Sequence, residues 1–270
     1  MLHFAKKGLR PFATKTLSQS VSGTSLIPGG SASPDASVMV SALNARLTHH
    51  GATDVLRAAF EAVPDIALVS SFGAESVVLL HLAAMVKRDV PVIFIDTEML
   101  FAETLVYQQD VAERLRLQNV TAIRADDAHA QDPDGTLHQR DTDACCALRK
   151  TVPLQKALAP YSGWMTGRKR YQSGTRAKLE FFEVEAATGR IKVNPLARWA
   201  PEDVRDYMEE NRLPRHPLVA QGYPSIGCAP CTSPVAEGED PRAGRWRDQD
   251  KDECGIHFVD GKLVRTGAPT

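Results

Sequence analysis

Five cysteines stand in this chain of 270 residues, and their spacing is the feature that chemistry could most readily use. Cys145 and Cys146 are adjacent, Cys228 and Cys231 enclose Ala229-Pro230, and Cys254 stands alone. Neighbouring side chains leave a helix about 100° apart, or point to opposite faces of a strand, so a shared role for Cys145 and Cys146 needs a compact partner that takes several sulfurs. Taken alone, Cys228-x-x-Cys231 fits zinc, a redox pair or coincidence. Two tight pairs together suggest a tetrathiolate site, either zinc or iron–sulfur. Paired zinc ligands usually have two or more residues between them. Cys145-Cys146 has none, which favours a cluster whose several irons take adjacent thiolates; four reduced cysteines without metal remain an alternative.

Cys254 is of another kind. It lies in the polar stretch Lys251-Asp252-Glu253-Cys254-Gly255-Ile256-His257, where Lys251 and His257 would favour the thiolate. An unpaired cysteine in such surroundings is a candidate nucleophile, although this segment by itself would equally suit an incidental surface cysteine.

Two further groups could bind an anion. Ser70-Ser71-Phe72-Gly73-Ala74-Glu75-Ser76 follows a strand-like run and opens a helix, a turn whose N–H groups and hydroxyls can hold a phosphate. A lone glycine there is often plain turn geometry, but Asp96-Thr97 closes the next strand, and open α/β sheets bind ligands beyond the strand C-termini. The second group is Arg168, Lys169 and Arg170, with Arg176 beyond. A charge run is usually a solvated loop, yet this one follows a short apolar strand, and guanidinium forks suit phosphate and sulfate oxygens.

The elements that must position these residues alternate. Val38, Leu43 and Leu47 share a helical face, with Gly51 as a stop. Thr53 is the expected N-cap of a helix ending at Pro64. Strands are expected at 66–70, 92–95, 119–123 and 164–166, with helices at 77–87, 101–117 and 148–158 between them. Residues 126–143 read as a loop. Runs near 179–184 and 191–193 read as a hairpin around Thr188-Gly189, and Pro201 with Glu202 and Asp203 begins a helix to 211. From Leu213 onward the sequence reads as loop. The alternation predicts an α/β fold: a mostly parallel twisted sheet with helices on both faces. The expected organisation is a tail over 1–35, one nucleotide-binding domain with the thiolate site over 36–235, and a mobile C-terminal arm over 236–270.

Composition excludes several classes. No apolar run approaches the roughly 20 residues that cross a bilayer, and five cysteines are too few to staple a chain of this length. The formal net charge of −1 does not suggest a nucleic-acid binder. Residues 1–34 carry Lys6, Lys7, Arg10 and Lys15 and no acid, leaving 28 basic and 33 acidic residues, or −5, for the rest. This segment is expected to be a plain tail, with an organellar transit peptide left open; otherwise the expected location is the cytoplasm.

In order along the chain, Ser71-Phe72-Gly73-Ala74-Glu75, Asp96-Thr97, Cys145-Cys146 with Arg149-Lys150, the Gly167–Arg176 loop, and Cys228-x-x-Cys231 followed by Glu253-Cys254-Gly255-Ile256-His257 resemble the thioredoxin-dependent assimilatory adenosine 5′-phosphosulfate (APS) reductases. These are sulfonucleotide reductases of the PP-loop, adenine nucleotide alpha hydrolase-like group. The resemblance implies a [4Fe–4S] cluster on Cys145, Cys146, Cys228 and Cys231. It implies that Ser71, Phe72, Gly73, Glu75, Asp96 and Thr97 hold the nucleotide, and that Lys150, Arg170, Arg242, Arg245 and His257 contact the phosphosulfate. Cys254 would attack sulfur, AMP would leave, and thioredoxin or a glutaredoxin-like reductant would release sulfite from an S-sulfocysteine, in sulfate assimilation toward cysteine. Lys150, four residues beyond Cys146, is expected one helical turn away and would link cluster to substrate. No thioredoxin-like segment follows Cys254, so a separate reductant and a bacterial-type enzyme are expected; a homo-oligomer is allowed for.

Two positions depart from the family's pattern: Glu98 stands where Gly is usual after Asp-Thr, and Tyr171 where an acid is usual. The nearest alternative is a reductase for the 3′-phosphorylated substrate (PAPS), which resembles this family without the four paired cysteines. A PP-loop sulfur-insertion enzyme expects Ser-Gly-Gly-x-Asp-Ser, and Ser71–Ser76 lacks its second glycine and Asp. A non-enzymatic iron–sulfur sensor or zinc module would have no use for Cys254.

Overall fold

The computed structural model describes residues 34–247, Gln249 and Lys251. Two helices, α1 (Pro34–Leu47) and α2 (Ala52–Ala62), precede the sheet. Helix α2 is capped by Gly51, not Thr53: the Gly51 carbonyl accepts from Asp54 and Val55 N–H at 3.0 and 3.2 Å. Then β1 (Ile66–Ser70), α3 (Ser76–Val86), β2 (Pro91–Ile95), α4 (Ala102–Arg114) and β3 (Asn119–Ile123) follow the expected alternation.

The segment read as a loop carries helical turns, α5 (Ala128–Gln131) and α6 (Leu137–Arg140). Polar composition hid them, because each is only one turn long and presents almost no apolar face. The paired cysteines sit on α7 (Thr142–Cys146), whose N-cap Asp141 accepts from Ala144 N–H at 2.9 Å. A π-helical turn, Ala147–Thr151, joins α7 to α8 (Val152–Ala157). Beyond come β4 (Gly163–Met165), β5 (Phe182–Val184), β6 (Ile191–Val193) and α9 (Pro201–Glu210). The Asp203 carboxylate accepts from Ala200 N–H at 2.8 Å, completing the Pro-led helix start.

The strand order is β3-β2-β1-β4-β6-β5, with every neighbour pair parallel except β5–β6. Side chains alternate across the sheet. Ile66, Leu68, Val92 and Phe94 enter the larger core with α1–α4 and α9, while Ala67, Ile93, Ile95 and Trp164 meet Leu154 and Leu158 on the other face. The chain runs outward from β1 to β3 on one side and resumes at β4 on the other. The β1–β4 boundary is therefore a topological switch point, where loops leave the strand ends in opposite directions and open a crevice. Among the described residues no helix is long and apolar enough to cross a membrane.

Candidate active site

A cavity of about 280 Å³ opens at that switch point. The β1 strand end and turn supply Ser70, Ser71, Gly73, Ala74 and Glu75, and β4 and its loop supply Trp164, Thr166 and residues 167–169. Among the described residues, Lys150, Arg168, Lys169, Arg176, Arg242 and Arg245 line it against two carboxylates, Glu75 and Asp240. That surplus of positive charge favours an anion. Leu79, Ile95, Leu100 and Ile226 give it apolar walls that suit a ring.

The turn after β1 is held by its own serines. Ser70 Oγ accepts from Phe72 N–H at 3.1 Å, and Ser76 Oγ accepts from Gly73 N–H at 2.9 Å. Phe72 has a φ of 48° and is fully buried, its ring edge-on to Phe94 at 5.3 Å. Its side chain is thus a core wedge, while its neighbours Ser71 and Gly73 face the cavity. Strain of this kind persists where surrounding packing over-determines it.

Glu75 is the hub of the opposite wall. Its carboxylate accepts from Lys169 Nζ at 2.7 Å, from Tyr171 Oη at 3.1 Å and from Gln172 Nε2 at 3.4 Å. Lys169 is 2% exposed, and burial pulls its ammonium below the usual lysine range while Glu75 pulls it back. Arg176 donates to Gln172 Oε1 and extends the network. Tyr171, one of the two departures, therefore occupies its position as a neutral donor to Glu75. Burial and Glu75 both raise its phenol.

Arg170 does not join this wall. Its Nε donates to the Leu179 carbonyl at 2.7 Å and its guanidinium pairs with Glu180 at 2.9 Å, outside the cavity. Lys169 is extended (φ −134°, ψ 149°), so successive side chains point oppositely: Lys169 turns inward and Arg170 outward. Asp96 and Thr97 also serve elsewhere. Asp96 accepts from Glu98 N–H at 3.0 Å and pairs with Arg124 at 2.7 Å; Thr97 Oγ1 lies 3.2 Å from Cys228 Sγ. Glu98 has a φ of 59°, the left-handed region in which glycine is at ease.

The two cysteine pairs converge. The Cys228 segment is bridged to Leu100, and Ala229 N–H donates to the Met99 carbonyl at 2.7 Å. Cys145 is buried, Cys146, Cys228 and Cys231 are half-buried, and none of the four is in a disulfide. Burial and then the neighbouring sulfurs push Cys145 and Cys231 up to about 11, each feeling the thiols of the opposite pair. Four thiols gathered in one place are a donor set that suits a cation, whose binding draws off their protons. Among the described residues no group of three or more His, Cys, Asp or Glu is arranged to hold a single metal ion. A multi-iron cluster has a different requirement, because each thiolate takes its own iron and the sulfurs need only surround a common volume. The donor set fits such a cluster.

Each cysteine segment also sends a cation into the cavity. Lys150 lies on the π turn directly after α7, so the link from Cys146 is wider than an α-helical turn. Arg245 is bridged through Thr232 to the Cys231 turn, and Trp246 N–H donates to the Cys231 carbonyl at 3.1 Å. The Arg245 guanidinium lies 4.4 Å from the centre of the Trp246 ring. Of the basic run read as an anion site, Arg168, Lys169 and Arg176 do line the cavity; sequence reasoning missed Trp164 and residues 224–227 as its walls, and the glycine immediately before Cys228 was the one available signal for the last. Cys254 and His257 lie outside the described residues.

Residues 65–234 match the family described as phosphoadenosine phosphosulfate reductase domain. A protein of Mesorhizobium japonicum named adenosine 5′-phosphosulfate reductase is 50% identical over 206 residues, 76% of this chain and 80% of that one. One of the same name from Halalkalibacterium halodurans is 41% identical over 82% of this chain and 97% of its own length. A Gloeobacter violaceus protein named phosphoadenosine 5′-phosphosulfate reductase is 42% identical over 71% of this chain and 82% of that one. The crystal structure of a Candida auris phosphoadenylyl-sulfate reductase in a phosphate complex superposes with a TM-score of 0.64 at 29% identity, covering 73% of this chain and 96% of that one. With this fold, this cavity and this extent of identity, the chain belongs to the phosphoadenosine phosphosulfate reductase family.

Proposed function

We propose that the chain reduces adenosine 5′-phosphosulfate to sulfite and AMP, with Cys254 as nucleophile and a separate dithiol protein of the thioredoxin type as reductant. One observation carries the reading: both cysteine-bearing segments send a cation, Lys150 and Arg245, into the cavity formed by the β1 turn. A thiolate centre and a nucleotide crevice joined in this way make one functional unit. Relatives named for this substrate at 50% and 41% identity agree with it.

In this reading the apolar walls and the Ser71–Glu75 turn take the nucleoside end, and Lys150, Arg242, Arg245 and the 168–176 loop take the phosphosulfate. Cations are required there because an anionic thiolate must approach an anionic substrate. The Cys254 thiolate attacks the sulfuryl sulfur; an S–S bond forms, the S–O bond to the phosphate breaks, and AMP leaves with the electron pair. The reductant's two thiols then supply two electrons: they become a disulfide, sulfite departs, and Cys254 returns to the thiol. Cys145, Cys146, Cys228 and Cys231 would hold a [4Fe–4S] cluster, which when bound supplies a rigid anionic centre acting electrostatically on Lys150. The proposed setting is sulfate assimilation in the cytoplasm.

The PAPS reading is kept because the Gloeobacter relative bears that name at 42% identity; competing the two nucleotides for the purified enzyme separates them. The decisive test of the chemistry is anaerobic incubation with sulfur-labelled APS and no reductant. Stoichiometric label on Cys254 is expected, and bound substrate without label overturns the mechanism.

A further inference from the structure

Past Arg245, the chain returns to the tandem-cysteine helix. Gln249 Oε1 accepts from the Thr142 hydroxyl at 2.9 Å. Lys251 Nζ donates to Asp143 Oδ1 at 2.6 Å and to the Thr142 carbonyl at 3.4 Å, and lies 3.5 Å from Cys146 Sγ. Its side chain is 8% exposed, against 30% for Asp143, and its ammonium stands 5.7 Å from the centre of the Trp246 ring. Solvated lysines of loop segments do not spend their rotamer freedom on such a site without a return. All three ammonium hydrogens have an acceptor or a sulfur within reach, so the contact fixes a direction as well as a charge.

We propose that Lys251 is a positioning residue, an anchor that holds the chain at 249–251 on α7 and so limits, by tether length, how far Cys254 can stand from the cavity. This rests on the reading of Cys254 as nucleophile. Two residues, Asp252 and Glu253, separate the anchor from Cys254, so the three Cα-to-Cα steps between them span at most about 11 Å fully extended. The anchor point is itself next to the reaction space, since α7 runs directly into the turn that carries Lys150. Tethering a nucleophile at such short range raises its effective concentration at the substrate without any contact between Lys251 and the reacting atoms. An unanchored arm would leave substrate affinity intact and slow only the encounter.

The test uses the metal-loaded full chain and a double-mutant cycle of Lys251→Met and Asp143→Asn. Amide hydrogen exchange at 249–257 should quicken in each single variant. The single-turnover rate of Cys254 labelling by APS should fall about fivefold, as expected from losing about 1 kcal/mol of ion pair, with the APS dissociation constant and metal content unchanged. The double variant should be no worse than either single one. A mere charge effect on the Cys254 thiol predicts opposite signs for the two variants, because one removes a cation and the other an anion. Unchanged exchange, opposite signs, additive losses, or a rate that falls only in step with metal content would each overturn the anchor. If wild-type Cys254 takes no label, the functional reading fails, and the exchange arm still reports on the anchor.

Discussion

The guanidinium of Arg245 occupies the space that a side chain at Gly227 would need: a Cβ there would lie 2.2 Å from Nη2 and 2.5 Å from Cζ. No other side chain can stand beside Cys228 while Arg245 keeps its place over Trp246 and in the cavity. The displaced group is the end of a flexible side chain, so Gly227→Ala is expected to fold. Its effect falls on the ligand: nucleotide affinity should drop about tenfold, the loss of one charge-assisted contact. Arg245→Ala should match it, and the double variant should lose nothing further. Calorimetric titration with AMP and APS on metal-loaded protein reads this; full affinity in Gly227→Ala would break the link between glycine and guanidinium.

The Lys169–Glu75 pair should respond unequally to removal of its two members. Lys169 is fully buried, whereas the Glu75 side chain is 35% exposed and has Tyr171 and Gln172 as further donors. Glu75→Gln strands an ammonium in the interior and should cost about 3 kcal/mol, at the low end for broken buried pairs because the site is partly wet. Lys169→Met fills the same volume with an apolar chain and leaves a carboxylate that water and Tyr171 can serve, so it should cost less. Tyr171→Phe removes one neutral donor and should stay within about 1 kcal/mol. Urea midpoints at constant m-value give the ranking.

His216 makes a signed pH prediction. It is 1% exposed; Nδ1 accepts from Leu218 N–H at 3.2 Å, which leaves Nε2–H for Thr104 Oγ1 at 3.0 Å. Burial lowers it to about 4, with Glu103 pulling weakly upward. Between about 4 and 6.5 the unfolded chain therefore holds a proton that the folded chain does not. Stability falls as pH drops through that window, the loss being complete below it and absent above it. The full span is on the order of 3 kcal/mol. Urea melts of wild type and His216→Asn across pH 4–7 should converge as the pH falls; parallel curves would mean the imidazole titrates normally.

The centre of the sheet was legible because β1, β2 and β4 are apolar runs that end in turn residues, such as Ile66–Ser70 leading to Gly73. The cysteine pairs were legible because their spacing is itself the constraint. Side-chain direction within a loop was not. Arg168, Lys169 and Arg170 are one charge run in sequence, yet the extended backbone at Lys169 sends Lys169 to the cavity and Arg170 to Glu180. Phe72 sits in the middle of a ligand-binding turn, and its positive φ aims it at Phe94 in the core. Lys150 reaches the cavity through a π turn, which no propensity announces. These are decisions of tertiary packing, and they fall where the site is.

Arg149 and Glu98 set the last prediction, because they touch and yet should tolerate loss very differently. The Arg149 side chain is 7% exposed; it donates to the Thr97 carbonyl at 3.2 Å and pairs with the wholly enclosed Asp132 at 3.1 Å. Glu98 reaches the same guanidinium at 3.4 Å from the solvent side, 44% exposed. An exposed pair of that length contributes at most about 1 kcal/mol. Against it stands the φ of 59°, a backbone strain of roughly 1 kcal/mol for a residue with a Cβ. A glycine removes the strain but gains freedom in the unfolded chain, which returns about 0.4–1 kcal/mol. The terms nearly cancel, so Glu98→Gly should shift the urea midpoint little in either direction. Arg149→Met has no such compensation: it leaves the Asp132 carboxylate enclosed without its cation and frees the loop that holds Thr97 against Cys228. It should lower the midpoint far more than Glu98→Gly and weaken metal retention as well, measured as iron per chain after gel filtration. Equal midpoints for the two variants would mean that Arg149 serves Glu98 and not the buried acid.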